Sequence, residues 1–492
     1  MNRFLVKSAS VGRCLVCLVA ANVALNSAAV AQVSAAFDRT KPPRLAKAAR
    51  LTVPVHVAAT LENGMSIRVV TQRELPVVQV TAVIEGGARL DCGQVGIATF
   101  VANMLDEGAG GRDAAALQSE FAFLGASLGA RADWDAITVS LKVPVRSLEP
   151  ALALMADVVQ RPSFATVEVR RQRDLRLANL LQVRDQPNTL ASLAFDRVVF
   201  PEGHPYHQPL GGDSASTARL DSAMVRAFYS QTVRPERSTF FVVGDIAAAD
   251  ARALLARFFG NWRGSGPSLA ARPIVVRPKR EETSRLYLVD KPEAAQSVIT
   301  IGWPGVDRRS PDYAAVTVMN TLLGGSFTSR LNMNLRETKG FSYGARSGFA
   351  FRKTPGPFTA SAAVRTNVTD SSLVEFFKEL RAIRDTRVPA DELERGKAYV
   401  ELGLPGTLEG TSQVAAEMAE LANFGLTLAE LPRFAAAVRR VTAADVQRVA
   451  RQYLTPDRAT IVVVGDLAKV RAPIQTLGLG SVTLLEVRQV AR

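Results

Sequence analysis

Side chains that could grip a metal ion or attack a carbonyl are scarce in this sequence. Its 492 residues hold three histidines, His56, His204 and His207, and three cysteines, Cys14, Cys17 and Cys92. Zinc-dependent hydrolysis typically uses two imidazoles one helical turn apart and a carboxylate beside them to activate water. Those needs produce the spacings His-x-x-Glu-His and His-Glu-x-x-His. Neither spacing occurs in the chain. His204 and His207 lie in HPYH, a proline-bounded loop that reads as surface turn, and His56 has no acidic or cysteine neighbour. The chain alone is therefore expected to hold no metal and to cut no peptide.

The elements that would position such chemistry are nevertheless written plainly. In GIATFVANMLDEG (96–108), Ile97, Phe100, Val101, Met104 and Leu105 recur at helical spacing and predict one core-facing stripe. The opposite face carries Thr99, Ala102, Asn103 and Asp106.

Composition bounds the rest. Hydrophobic content of 47% with 22% charged residues indicates a folded globular chain, and the length predicts two or more domains. Residues 1–31 read as a secretory signal. Arg3, Lys7 and Arg13 precede the apolar run CLVCLVAANVAL, and Ala29 and Ala31 supply the small residues of a cleavage site. Export to the periplasm is expected, with cleavage near Ala31. No later apolar run has transmembrane length, so no stable membrane insertion is expected. Cleavage would leave only Cys92, read as a buried structural thiol, and no intramolecular disulfide. The formal charge of +14, three of it from the leader, favours anionic surfaces or acidic peptides. No nucleic-acid motif is present, and the basic clusters RRQR (170–173) and RPKREE (277–282) read as solvated helix and linker faces.

The chain also repeats itself. LDSAMVRAFYSQTVRPERSTFFVVGD (220–245) aligns with VTAADVQRVARQYLTPDRATIVVVGD (441–466) at a constant offset of 221, each copy a helix, a proline turn and a strand ending in Val-Val-Gly-Asp. Thr442 and Asp445 form a capping-box pattern at the second helix. PVVQVTAVIEGG (76–87) and AAQSVITIGWPG (294–305) each read as a strand in corresponding places of the two halves, and each leads into a helix. In the second half that helix is predicted from Pro311 to Leu323, with Ser310 as its N-cap and Gly324-Gly325 ending it. Two copies indicate two homologous α+β domains with mainly antiparallel sheets, over 45–263 and 286–483, joined by a Gly-, Pro- and charge-rich linker at 264–285.

The order of these pieces resembles the pitrilysin/insulinase family of inverted-zincin metallopeptidases, in its smaller two-domain bacterial and mitochondrial-processing-peptidase branch. The match runs through GIATFVANMLDEGAGGRD, LGASLGARADWDAITVSLKVP, EVRRQRDLRLANLLQVRDQPN and HPYHQPLGG in the first half. In the second it runs through LLGGSFTSRLNMNLRETKGFSYGARSGF and PADELERGKAYVELGL. The resemblance implies paired α/β rolls facing each other across a closed chamber. It also implies His-x-x-Glu-His on a helix and a distal Glu about 76 residues on. Laid on this sequence, the histidines become Thr99 and Asn103, the base becomes Ala102 and the distal ligand becomes Asn179. This is a member lacking the zinc motif. In the first half, GASLGARAD (125–133) matches the family's edge-strand region, although its small residues fit close packing equally well.

What the resemblance leaves intact is Arg336 and Tyr343, seven apart in LRETKGFSYG. The family carries such a pair opposite the zinc, where it holds the substrate. An Arg fork can bind a peptide carbonyl, and a Tyr hydroxyl can stabilise a developing oxyanion. The structural alternative is an ion pair between Arg336 and Glu337 with a half-buried Tyr343. Loss of the metal half and retention of this pair imply a non-catalytic, substrate-binding subunit. Its partner would be a homologous chain bearing the zinc, this chain carrying no cofactor of its own. A structural or assembly protein with the peptidase fold, and a self-associating peptide-binding protein, are the alternatives.

Overall fold

Runs of β-branched residues build two six-stranded sheets. The first holds β1 (Val57–Thr60), β2 (Ser66–Thr71), β3 (Val77–Glu85), β4 (Ser127–Ala132), β5 (Ala136–Pro144) and β6 (Ser238–Gly244), in the order β1-β2-β6-β3-β5-β4. The second holds β7 (Arg285–Asp290), β8 (Gln296–Pro304), β9 (Ser342–Phe349), β10 (Pro357–Arg365), β11 (Thr460–Gly465) and β12 (Ser481–Leu485), in the order β12-β7-β11-β8-β10-β9. The computed structural model describes residues 51–91, 93–269, 278 and 282–490, so the leader, Cys92 and part of the 264–285 linker lie outside the described residues.

Five strands of each sheet follow the same design; the sixth, β1 or β12, is antiparallel to its neighbour in the first sheet and parallel in the second. In each, a central strand (β6 or β11) runs parallel to one neighbour and antiparallel to the other, and a hairpin-like run of antiparallel strands leads to the edge. Most pairings are antiparallel, and the α+β class is as expected. Among the helices are α1 (Ile97–Met104), α2 (Thr166–Val183), α3 (Pro187–Val199), α4 (Ser222–Thr232), α5 (Tyr313–Asn320), α6 (Ala390–Gly403), α7 (Thr411–Asn423) and α8 (Ala443–Tyr453). The helices α4 and α8 are the repeated ones. Asp221 caps α4 by accepting from the Met224 N–H at 2.8 Å. At α8 the capping box closes in both directions, with Thr442 Oγ1 accepting from the Asp445 N–H (3.1 Å) and Asp445 accepting from the Thr442 N–H (3.0 Å).

One expected boundary moves. The second-half helix starts at Tyr313, not Pro311, and ends at Asn320, continuing as a π-helical turn over Thr321–Gly325. Ser310 stands outside the helix, its hydroxyl accepting from the Asp312 N–H at 3.2 Å in a preceding turn.

The central strands of each sheet are buried on both faces, which is why β3 and β8 read as continuous apolar runs rather than alternating ones. One face packs on helices of its own half. The other takes a helix from the opposite half. Leu190, Ala191, Ala194 and Phe195 of α3 pack on Val298, Val462 and Val464 of the second sheet. Val414, Ala415, Met418 and Leu421 of α7 pack on Val70, Val83, Phe241 and Val243 of the first. The halves thus exchange helices, and α3 and α7 occupy equivalent places in the repeat.

Candidate functional site

The helix α1 begins at Gly96, whose φ of +84° and lack of a Cβ let the Gly211–Gly212 backbone approach closely. Asp91 closes the helix start, its carboxylate accepting from the Gly96 N–H (2.7 Å) and the Ala98 N–H (3.1 Å). Burial pushes the Asp91 carboxyl up to about 7 against the pull of those donors and of Arg176. Ile97, Phe100, Val101, Met104 and Leu105 are buried, as the spacing predicts.

The opposite face differs from the expectation in one respect. Ala102 is not on an open face; it is fully buried in the core of the first half. Asn103 of α1 and Asn179 of α2 are exposed, and Thr99 is half-buried. The Thr99 hydroxyl donates to the Gly96 carbonyl at 2.9 Å and accepts from an arginine. Arg176 Nη1 donates to the Thr99 hydroxyl (3.2 Å), the Gly96 carbonyl (3.0 Å) and the Gly211 carbonyl (3.1 Å), and its guanidinium lies 4.9 Å from the Phe100 ring centroid. Burial lowers Arg176 to about 10, with Asp91 acting in the opposite sense. A cation therefore joins α2 to the start of α1 at the first motif position. Neutral Thr99 and Asn103, apolar Ala102 and neutral Asn179 do not make a zinc donor set, and a guanidinium beside Thr99 opposes a second cation. Among the described residues, no group of three His, Cys, Asp or Glu side chains is placed to hold a metal ion.

HPYH is a correction. His204 is not a surface turn residue. It is 1% exposed, stacked on Phe200 at 4.7 Å, with Nδ1 accepting from the Tyr206 N–H (3.1 Å). Tyr206 is also fully buried, and its hydroxyl donates to the Thr354 carbonyl of the second half at 3.3 Å. The apolar demand of the contact between halves overrides the polarity of the loop. Burial, with the Arg352 charge assisting, lowers His204 to about 4. Between about pH 4 and 6.5 the unfolded chain binds a proton there that the folded chain refuses, so stability falls as pH drops through that window. Asp196, which burial pushes up to about 6, contributes with the opposite sign. Because Asp91 and Asp196 stabilise the folded chain on acidification in both proteins, the urea midpoint at pH 5 relative to that at pH 7 is expected to be higher in His204→Asn, which keeps an acceptor for Tyr206, than in the wild type. An unchanged difference would contradict this origin.

In the second half, Arg336 lies on a π-helical turn (Met333–Thr338), and Gly340 at φ +62° turns the chain into β9. Arg336 Nε is 3.2 Å from a Glu337 carboxylate oxygen, the local ion pair considered above, and its guanidinium also stacks over Phe327 at 4.7 Å. Tyr343 is not half-buried but 89% exposed. A β-bulge explains this. The β9–β10 register shifts between Ala362 and Val364, and the Ser342 hydroxyl donates to the Ala363 carbonyl at 2.7 Å, leaving Tyr343 out of the pleat. Tyr343 and Phe327 line one groove of about 850 Å³. Its floor is the outer face of β8 and β10, and one wall is α3 of the first half. The residues that reading the sequence missed here are Phe327, Arg346 and Tyr399. The edge strand expected at 125–133 is present as β4, outermost in its sheet.

Comparison with known proteins places these features. A family model described as Insulinase (Peptidase family M16) matches residues 68–200, and one described as Peptidase M16 inactive domain matches residues 219–400. The chain is 21% identical over 408 residues to the uncharacterized zinc protease YmxG of Bacillus subtilis, covering 82% of this chain and 97% of that protein. It is 22% identical over 434 residues to a probable mitochondrial-processing peptidase subunit beta of Arabidopsis thaliana, covering 85% and 80%. A crystal structure described as the peptidase M16 inactive domain from Pseudomonas fluorescens has a TM-score of 0.77 and 27% identity, covering 83% of this chain and 98% of that one.

Proposed function

Because the chain belongs to the insulinase family, peptidase family M16, we propose that it is the non-catalytic, substrate-binding subunit of a heterodimeric zinc metallopeptidase. The observation that carries the reading is an asymmetry within one molecule. The first half offers no zinc donor set and holds a guanidinium against Thr99. The second half presents Tyr343 to solvent on a bulge at the rim of a large groove, and Arg336 stacks over Phe327, which lines the same groove. A bulge that turns a tyrosine out of a sheet, at the expense of its packing, is the kind of feature found where a side chain has work outside the fold. A purely structural descendant would have little reason to keep it.

In the complex, zinc and the water-activating carboxylate belong to the partner, a homologous chain. This chain binds and orients an extended peptide, with Arg336 donating to a substrate carbonyl and Tyr343 donating to the oxygen that becomes negative as that carbon turns tetrahedral. Addition of the peptide as a strand to a free sheet edge suits this role, because main-chain hydrogen bonds tolerate varied sequences. The leader pattern of residues 1–31 supports a periplasmic setting.

In a complex of this chain with its partner, Arg336→Ala and Tyr343→Phe are each expected to lower peptide turnover by about a hundredfold, the usual effect of removing one oxyanion donor, while assembly by size-exclusion chromatography is unchanged. Wild-type turnover in both variants would overturn the role of the pair.

A further inference from the structure

The groove beside Tyr343 holds more than the Arg336 and Tyr343 pair requires. Three aromatic side chains line it while exposed to solvent, Phe327 at 58%, Tyr343 at 89% and Tyr399 at 58%. Large rings exposed to water along one groove mark a surface that is covered by a ligand. The floor between them is small and weakly polar, with Thr359, Ser361 and Ala363 of β10. Such a floor admits a chain and discriminates little among side chains.

Discrimination must come from charge, and the charged residues lining the groove are Asp196, Arg346 and Arg352. Two of these are engaged with each other and with the contact between halves. The Arg352 charge acts on Asp196, and its guanidinium stacks over Tyr206 at 4.3 Å and Trp134 at 5.1 Å. Arg346 is different. It stands exposed on β9, the outermost strand of its sheet, and among the described residues it makes no ion pair, side-chain hydrogen bond or ring contact. Arg346 lies opposite Ser361 of β10, and its unpaired guanidinium, lining the groove, is a fork-shaped receptor for a carboxylate.

We infer that Arg346 selects an acidic side chain in the bound peptide, with a neighbouring apolar side chain seated among Phe327, Tyr343 and Tyr399. This rests on the peptide-binding reading above and names its substrate class, extended peptides that carry Asp or Glu next to an apolar residue. The basic balance of the whole chain acts in the same direction, drawing anionic peptides to the surface.

The test uses the full chain and three fluorescein-labelled decapeptides, identical except for Glu, Gln or Lys at one central position flanked by Leu and Phe. Binding is followed by anisotropy at low salt. The wild type is expected to prefer the Glu peptide over the Lys peptide by about fivefold, what an exposed charge pair near the top of its usual range supplies. Arg346→Glu reverses the order, Arg346→Gln reduces it to what the chain's net charge supplies, and Tyr399→Ser weakens all three peptides alike. Because Arg346 is exposed, the variants should keep the wild-type melting temperature. If all three peptides bind but Arg346→Glu leaves their order unchanged, the inference fails and the peptide-binding reading stands. If no peptide binds the wild type, the underlying reading fails and the inference falls with it.

Discussion

The triple variant Thr99→His, Asn103→His, Asn179→Glu is expected to bind no stoichiometric zinc while Arg176 is present, and one zinc per chain once Arg176→Leu is added. Three ligands of the right type at those positions would ordinarily suffice for a zinc site with an open fourth position. Ala102 is left alone because it is buried in the core, where a glutamate would be costly, and because the base is not a ligand. The obstacle is charge. Arg176 Nη1 sits 3.2 Å from the Thr99 hydroxyl, so a metal held by a side chain at 99 would lie within a few ångströms of the guanidinium. At an effective dielectric constant of 20, a dication 4 Å from a unit positive charge is repelled by about 8 kcal/mol. That is a large part of the roughly 10–16 kcal/mol that structural zinc sites provide. Removing the guanidinium removes the repulsion, at the cost of its three hydrogen bonds. Metal content by mass spectrometry after dialysis reads the result directly. One tightly bound zinc in the triple variant with Arg176 intact would contradict the view that the arginine bars the site.

Phe195→Ala is expected to cost the second sheet about 3–5 kcal/mol of stability, although Phe195 belongs to the first half of the chain. Its ring is fully buried among Val298, Val462 and Val464. The fit is close, since a Cβ built on Gly302 of β8 would lie 2.7 Å from the tip of that ring. Truncation leaves a cavity bounded by two strands that cannot collapse onto α3 without breaking their ladder. Hydrogen exchange gives the local readout. The amides of β8 and β11 should lose protection by about a hundredfold or more, while those of β3, covered by α7 instead, should change little. Equal loss in both sheets would show that the exchanged helices do not stabilise the halves separately.

Much of this architecture was legible because the chain states it twice. The offset of 221 between the two helix–turn–strand units, and the Val-Val-Gly-Asp endings, announce the paired sheets, and α4, α8, β6 and β11 bear them out. The capping box at Thr442 follows from local chemistry and is present. What escaped reading was long-range. Nothing local says that α3 leaves its own half, so His204 and Tyr206 in the loop after it looked like surface turn but are buried beside the opposite half. Arg176 was passed over as one basic residue among many. Its place one helical turn before Asn179, on the same face of α2, is the only sequence signal that it points toward α1. Likewise Tyr343 owes its exposure to a bulge whose register depends on β10, a strand some twenty residues on.

The central claim is that this polypeptide binds peptides and relies on another chain for hydrolysis. The most direct test is metal content and peptidase activity, measured side by side on the purified chain and on the complex recovered with it from its native host. The account predicts less than stoichiometric zinc and no cleavage for the chain alone. It predicts one zinc per heterodimer with cleavage for the complex. One zinc bound to the isolated chain, accompanied by peptide hydrolysis, would contradict it.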